Sequence, residues 1–123
     1  MFVINTKGIK LEESRNDPMV DKGPVFRSLL LDGKTTGGYS SAIVKYDPGA
    51  KLKWHTHDSE QIIYATEGKG ILATEKEEHV VTPGMLVVIP AGELHYHGAA
   101  GDSSFTHIAF YSGSSRVVKQ PSA

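Results

Sequence analysis

Glycine and proline interrupt this chain about every ten residues, a spacing that leaves little room for long helices. Asp47-Pro48-Gly49, Gly68-Lys69-Gly70, Pro83-Gly84, Pro90-Ala91-Gly92 and the run from Gly98 to Gly101 are turn signals. Glycine admits positive φ, and proline fixes φ and removes a backbone donor. Between these breaks lie short runs rich in Val, Ile, Tyr and Thr, residues that suit a pleated surface. They predict strands over 25–31, 40–46, 51–57, 61–66, 70–74, 78–82, 85–89, 94–97 and 105–111. Short strands at regular spacing read as an all-β sandwich or barrel. No window carries helical periodicity; residues 8–17 come nearest, and Asn16-Asp17-Pro18 ends them. The length, 123 residues, is that of a single domain. The expected layout is an N-terminal arm along the barrel edge over 1–24, a β-barrel over 25–112 and a tail over 113–123.

Composition removes several function classes. With 13 Lys+Arg against 14 Asp+Glu there is no basic excess for nucleic acid and no polybasic patch for anionic lipid. Lys45, Lys51 and Lys53 read as a solvated strand face. Cysteine is absent, which excludes disulfides, thiolate zinc sites, iron–sulfur clusters and cysteine nucleophiles. The start, MFVINTKGIKLEESR, lacks the charged and apolar regions of a signal peptide. No apolar run approaches the ~20 residues of a membrane span. A cytoplasmic location is the expectation.

The chemistry-bearing residues are histidines. His55 and His57 are two apart on one predicted strand, so both face one side. His95 and His97 repeat the arrangement, and His107 lies in the last strand, FTHIAFY. One histidine on an apolar face is usually a core residue, whereas two His-x-His pairs point to a metal, since imidazole ligates Mn, Fe, Co, Ni and Zn alike. Gln61 keeps the parity of His57, and Glu60 takes the opposite face as a solvated charge. His79 reads as a surface or rim residue. Leu52, Trp54, Ile62 and Tyr64 share the outward parity and are apolar, which predicts a homodimer through that face. Ile63, Ala65, Leu86 and Val88 are expected to line the pocket or fill the core.

The order and spacing of these residues resemble the cupin family. Gly49, five residues, His55-x-His57, three residues, Gln61, six residues and Gly68 resemble its first motif, G-x5-H-x-H-x3-E-x6-G. Gly84, five residues, Pro90-x-Gly92, two residues and His95 resemble the second, G-x5-P-x-G-x2-H-x3-N. Three positions depart: Gln61 stands for the usual Glu, Ala99 for the final Asn, and Met85 for a frequent Asp. WHTHDSEQIIYATEGKG, PAGELHYHGA and FTHIAFY further resemble a subgroup of short bacterial cupins with Gln as the third ligand. That subgroup includes manganese-dependent hydroxynitrile lyases and relatives of carboxymuconolactone decarboxylases.

The resemblance implies a double-stranded β-helix, or jelly-roll barrel, holding one divalent ion through His55, His57, Gln61 and His95. Manganese comes first, ahead of Fe, Ni, Zn and Co. Two coordination positions would stay open for water or a small-molecule substrate. His97 shares the face of His95, and His107 completes the pocket; both are the candidate catalytic residues, suited to moving one proton. The leading expectation is an enzyme carrying out metal-assisted lyase or carbonyl chemistry. An iron-dependent dioxygenase and a non-enzymatic binding module stand as alternatives, and the lack of a DNA-binding partner domain weighs against a regulator.

Overall fold

The computed structural model describes residues 1–118, which form strands and turns with no helix among them. The strands in chain order are β1 (Glu12–Glu13), β2 (Val20–Lys22), β3 (Val25–Leu31), β4 (Ser40–Tyr46), β5 (Lys51–Leu52), β6 (His55–His57), β7 (Gln61–Gly68), β8 (Gly70–Thr74), β9 (Glu78–Val81), β10 (Leu86–Ile89), β11 (His95–Ala99), β12 (Phe105–Tyr111) and β13 (Ser115–Val117). All pairings are antiparallel. One sheet runs β1-β3-β4-β12-β7-β10; the other runs β13-β6-β11-β5-β2, with β8 pairing β11 and β9 pairing β8. The two curl over a shared core of Val25, Tyr46, Ile63, Leu72, Val81, Ile89 and Phe105. This is the single-domain all-β barrel that the turn spacing predicts. No helix among the described residues is long and apolar enough to cross a membrane.

Alternation along β7 does most of the sorting. Gln61, Ile63 and Ala65 are buried, while Tyr64 is exposed and Ile62 half-buried. β10 pairs with it in the register Leu86↔Tyr64, Val87↔Ile63, Val88↔Ile62 and Ile89↔Gln61. That register corrects one expectation: Leu86 and Val88 lie on the outer face, 62% and 58% exposed, and Ile89 takes the core position. The reason is phase, since a one-residue shift moves every side chain of a strand to the other face.

A second correction concerns 51–57. The segment is two strands, broken at Lys53-Trp54, so parity does not carry across it. Leu52 therefore points inward and packs on the core. Trp54 lies edge-on against Tyr96 of β11, ring centroids 4.9 Å apart, on the second sheet. Tyr64 belongs to the first sheet, so Trp54 and Tyr64 do not share the single face that the sequence implies.

Residues 8–17 form no helix. β1 pairs with β3 at Glu12↔Arg27 and forms the edge of that sheet, and β2 pairs with β5 at Val20↔Leu52, so the N-terminal stretch passes from one sheet to the other. In the tail, β13 pairs with β6; the remainder of that segment, 119–123, lies outside the described residues.

Candidate metal centre

β11 organises the site. His95 sits directly opposite His55 of β6, and alternation then brings His57 and His97 to the same inner face. Gly98 makes the approach of β5 possible. A Cβ at that position would lie 2.5 Å from Lys51 Cβ and 2.6 Å from the Ala50 carbonyl oxygen. On the opposite sheet, a bulge at Thr106/His107 gives β7 one extra residue against β12. Beyond it His107 pairs with Ala65, and both are buried.

The histidines are held by one ring nitrogen each. His55 Nδ1–H donates to the Lys53 carbonyl at 2.6 Å, and His95 Nδ1–H donates to the Glu93 carbonyl at 2.8 Å. A carbonyl can only accept, so both rings carry their proton on Nδ1 and present a lone pair on Nε2. His57 Nδ1 meets the Ser115 hydroxyl of β13 at 2.7 Å. Among the described residues, His55 Nε2, His57 Nε2, His95 Nε2 and Gln61 Oε1 are buried and make no hydrogen bond. Four orphaned acceptor-capable atoms in one place are an exception to the rule that buried polar groups are paired. Burial pushes the imidazoles toward the neutral form, His55 down to about 3, His57 to about 4, and His95 also below its usual value. Metal ligands must be unprotonated, so a divalent ion fits this set of neutral nitrogen and oxygen donors.

His97 adjoins them. Ligand nitrogens of His55, His57, His95 and His97 all lie within 4.8 Å of one another. The ring centroids of His55, His57 and His95 lie 4.3 to 5.1 Å from one another, and that of His97 lies 5.1 and 5.6 Å from His55 and His95. Its Nδ1 lies 2.7 Å from the Tyr46 hydroxyl, which lies 2.9 Å from His107 Nε2. His97 Nε2 and His107 Nδ1 have no hydrogen-bond partner among the described residues. Burial holds His97 well below the usual histidine range, lowers His107 to about 3 and raises the Tyr46 phenol.

A cavity of ≈ 140 Å³ opens onto these groups. His55, His57, Gln61, His97 and His107 line it, together with Val20, Val44, Leu52 and Ala109. Arg27 donates to the Tyr111 hydroxyl at 3.2 Å within the same lining. The six residues singled out from sequence thus come together, while Glu60 is exposed and His79 is a surface residue 3.0 Å from Glu77. Sequence reasoning missed Tyr46, Leu52 and Ser115. Tyr46 had a signal, its shared parity with Ala42 and Val44 on β4; Ser115, in a polar tail, had none.

Known proteins share the family and the fold. Against (R)-mandelonitrile lyase of Granulicella tundricola the chain is 39% identical over 74 residues, which are 57% of this chain and 54% of that protein; the match spans about half of that relative. A cupin-like protein of Thermotoga maritima superposes with a TM-score of 0.76 at 26% identity, covering 83% of this chain and 86% of that one. The polyketide cyclase RemF of Streptomyces resistomycificus gives 0.79 at 19% identity, with 100% and 87% covered, a likeness of fold alone. Residues 42–111, more than half of the chain and spanning both His-x-His pairs, match the family described as the cupin domain. The chain belongs to the cupin family.

Proposed function

We propose that this cupin binds one divalent transition-metal ion through His55, His57, Gln61 and His95 and acts as a lyase on a small hydroxynitrile. The observation that carries the reading is the set of four buried donor atoms without partners. The likeness to a mandelonitrile lyase supplies the reaction class. Manganese is the ion we favour, from the resemblance of the ligand motif. When bound, the ion would supply Lewis acidity toward a substrate oxygen or anion.

The chain's own residues then have defined work. The apolar walls at Val20, Val44, Leu52 and Ala109 would hold the organic body of the substrate and exclude water. A bare ring nitrogen of His97 or His107 would accept the proton of the substrate hydroxyl. The O–H electron pair becomes the second bond of the new carbonyl, and the carbon–carbon bond breaks with its pair on cyanide. Cyanide takes up one proton, so aldehyde and hydrogen cyanide leave. We further place a second copy of the chain on the outer face of the first sheet, where Tyr64, Leu86, Val88 and Phe110 are exposed.

Protein purified without a nickel column should carry one divalent ion per chain by elemental analysis. His55→Ala and His95→Ala should abolish it, and full occupancy in a His55/His57 double variant would overturn the ligand assignment. The manganese-loaded protein should release benzaldehyde and cyanide from mandelonitrile. Dioxygen uptake by an iron(II)-loaded sample, with no cyanide release, would replace the lyase reading with an oxygenase.

A further inference from the structure

Tyr46 has no part in the proposed ligand set, yet it is wholly buried between the two remaining histidines of the cavity. Its ring is fixed by stacking on Phe105, centroids 5.9 Å apart and 19° between planes. Its hydroxyl reaches His97 Nδ1 at 2.7 Å and His107 Nε2 at 2.9 Å, both full hydrogen bonds by distance. A phenol has one proton to donate. Among the described residues no other acceptor is within its reach, so it donates to one imidazole and the other imidazole must donate to it.

That restriction leaves two arrangements. In the first, Tyr46 donates to His107 Nε2 and accepts from His97 Nδ1–H. Both rings then carry their proton on Nδ1, with His97 Nε2 bare. In the second, Tyr46 donates to His97 Nδ1 and accepts from His107 Nε2–H. Both rings then carry their proton on Nε2, with His107 Nδ1 bare. The outer nitrogens of this hydrogen-bonded chain, His97 Nε2 and His107 Nδ1, are both buried without a partner among the described residues. Converting the first arrangement into the second adds a proton at His97 Nε2, passes one along each of the two hydrogen bonds and releases one from His107 Nδ1. Protons balance, and no residue ends the passage charged.

We propose that Tyr46 is a positioning residue whose single hydroxyl proton locks His97 and His107 into matching tautomers, so that a proton accepted at one outer nitrogen is surrendered at the other. Only its catalytic use rests on the lyase reading, where one outer nitrogen would take the hydroxyl proton and the other return one to the leaving cyanide. Passage without a charged intermediate suits the site, because Tyr46, His97 and His107 are all buried and burial disfavours charge.

The test is two-bond proton–nitrogen correlation spectroscopy on ¹⁵N-labelled, zinc-loaded protein, with rings assigned through His97→Asn and His107→Asn. In the wild type, His97 and His107 should show the same tautomer or the same averaged value. In Tyr46→Phe the match should disappear, with zinc content unchanged. Opposite tautomers in the wild type would overturn the proposal without recourse to any variant, and so would a matched pattern that survives Tyr46→Phe. If the manganese-loaded protein cleaves mandelonitrile, Tyr46→Phe should lower kcat about a hundredfold with KM unchanged, within the range general acid–base groups contribute. An unchanged kcat would overturn the catalytic use of the coupling. Absence of cleavage by the wild type would refute the lyase reading and leave the spectroscopic result to decide the coupling.

Discussion

Gln61 carries no charge, so an ion held by His55, His57, Gln61 and His95 would keep both of its positive charges within the barrel. A glutamate in that position would cancel one. At an effective dielectric near 20, one unit charge about 4 Å away is worth about 4 kcal/mol. Relaxation of solvent and neighbouring groups should leave about 1–2 kcal/mol, roughly tenfold in anion affinity. Gln61→Glu is thus expected to retain metal and to bind azide or cyanide more weakly, whereas Gln61→Ala should loosen the metal itself. Titration of the metal-loaded proteins by absorbance or electron paramagnetic resonance reads the difference, and equal anion affinity would dismiss the charge argument. Burial of His107 has its own consequence. Its folded value, about 3, is below the usual 6.5. The unfolded chain therefore binds the extra proton first. Stability is fully present above the unfolded value and is lost as pH falls from 6.5 toward 3. For metal-free protein, denaturation midpoints measured between pH 7 and pH 4 should fall, and His107→Asn, which cannot take up that proton, should fall less steeply.

Among the strands, β11 has the narrowest tolerance. Gly98→Ala would drive a methyl group into Lys51 and the Ala50 carbonyl. Urea denaturation should show a loss of about 1–3 kcal/mol, as overpacked sites do, and metal affinity should fall because His95 and His97 ride on the same strand. How far such elements could be read from sequence depended on local punctuation. β3, β4, β8 and β12 match the expected ranges, since each lies between turn-forming residues. The break at Lys53-Trp54 was invisible because neither residue is a turn former, and the faces of Leu52 and Trp54 were misread with it. Leu86 and Val88 were misplaced because apolar residues fill both faces of 85–89 and leave no alternation to count. β1 and β2, two and three residues long, carry no pattern at all. Of the six site residues, His55 with His57 and His95 with His97 were legible because parity within β6 and β11 is unbroken, and Gln61 and His107 from motif spacing and the strand FTHIAFY, whereas Tyr46 shared only the inward parity of an apolar strand.

For the molecule as a whole, the outer face of the first sheet is the feature that solvent tolerates least. Tyr64, Leu86, Val88 and Phe110 are 43%, 62%, 58% and 39% exposed on neighbouring strands, with Ile62 and Ile108 between them. Sedimentation velocity at micromolar concentration should give a dimer, and Tyr64→Asp with Leu86→Asp should give a folded monomer. A monomeric wild type would contradict the assignment. The two sheets also divide the candidate ligands unequally: His55, His57 and His95 come from one, and Gln61 from the other. Tyr46 likewise reaches across to His97. An ion held by all four would rivet the barrel shut, and its escape would wait on the breathing of the two walls. The exchange rate of the metal would then be a clock for that motion, slowed by whatever stiffens the barrel, even far from the histidines.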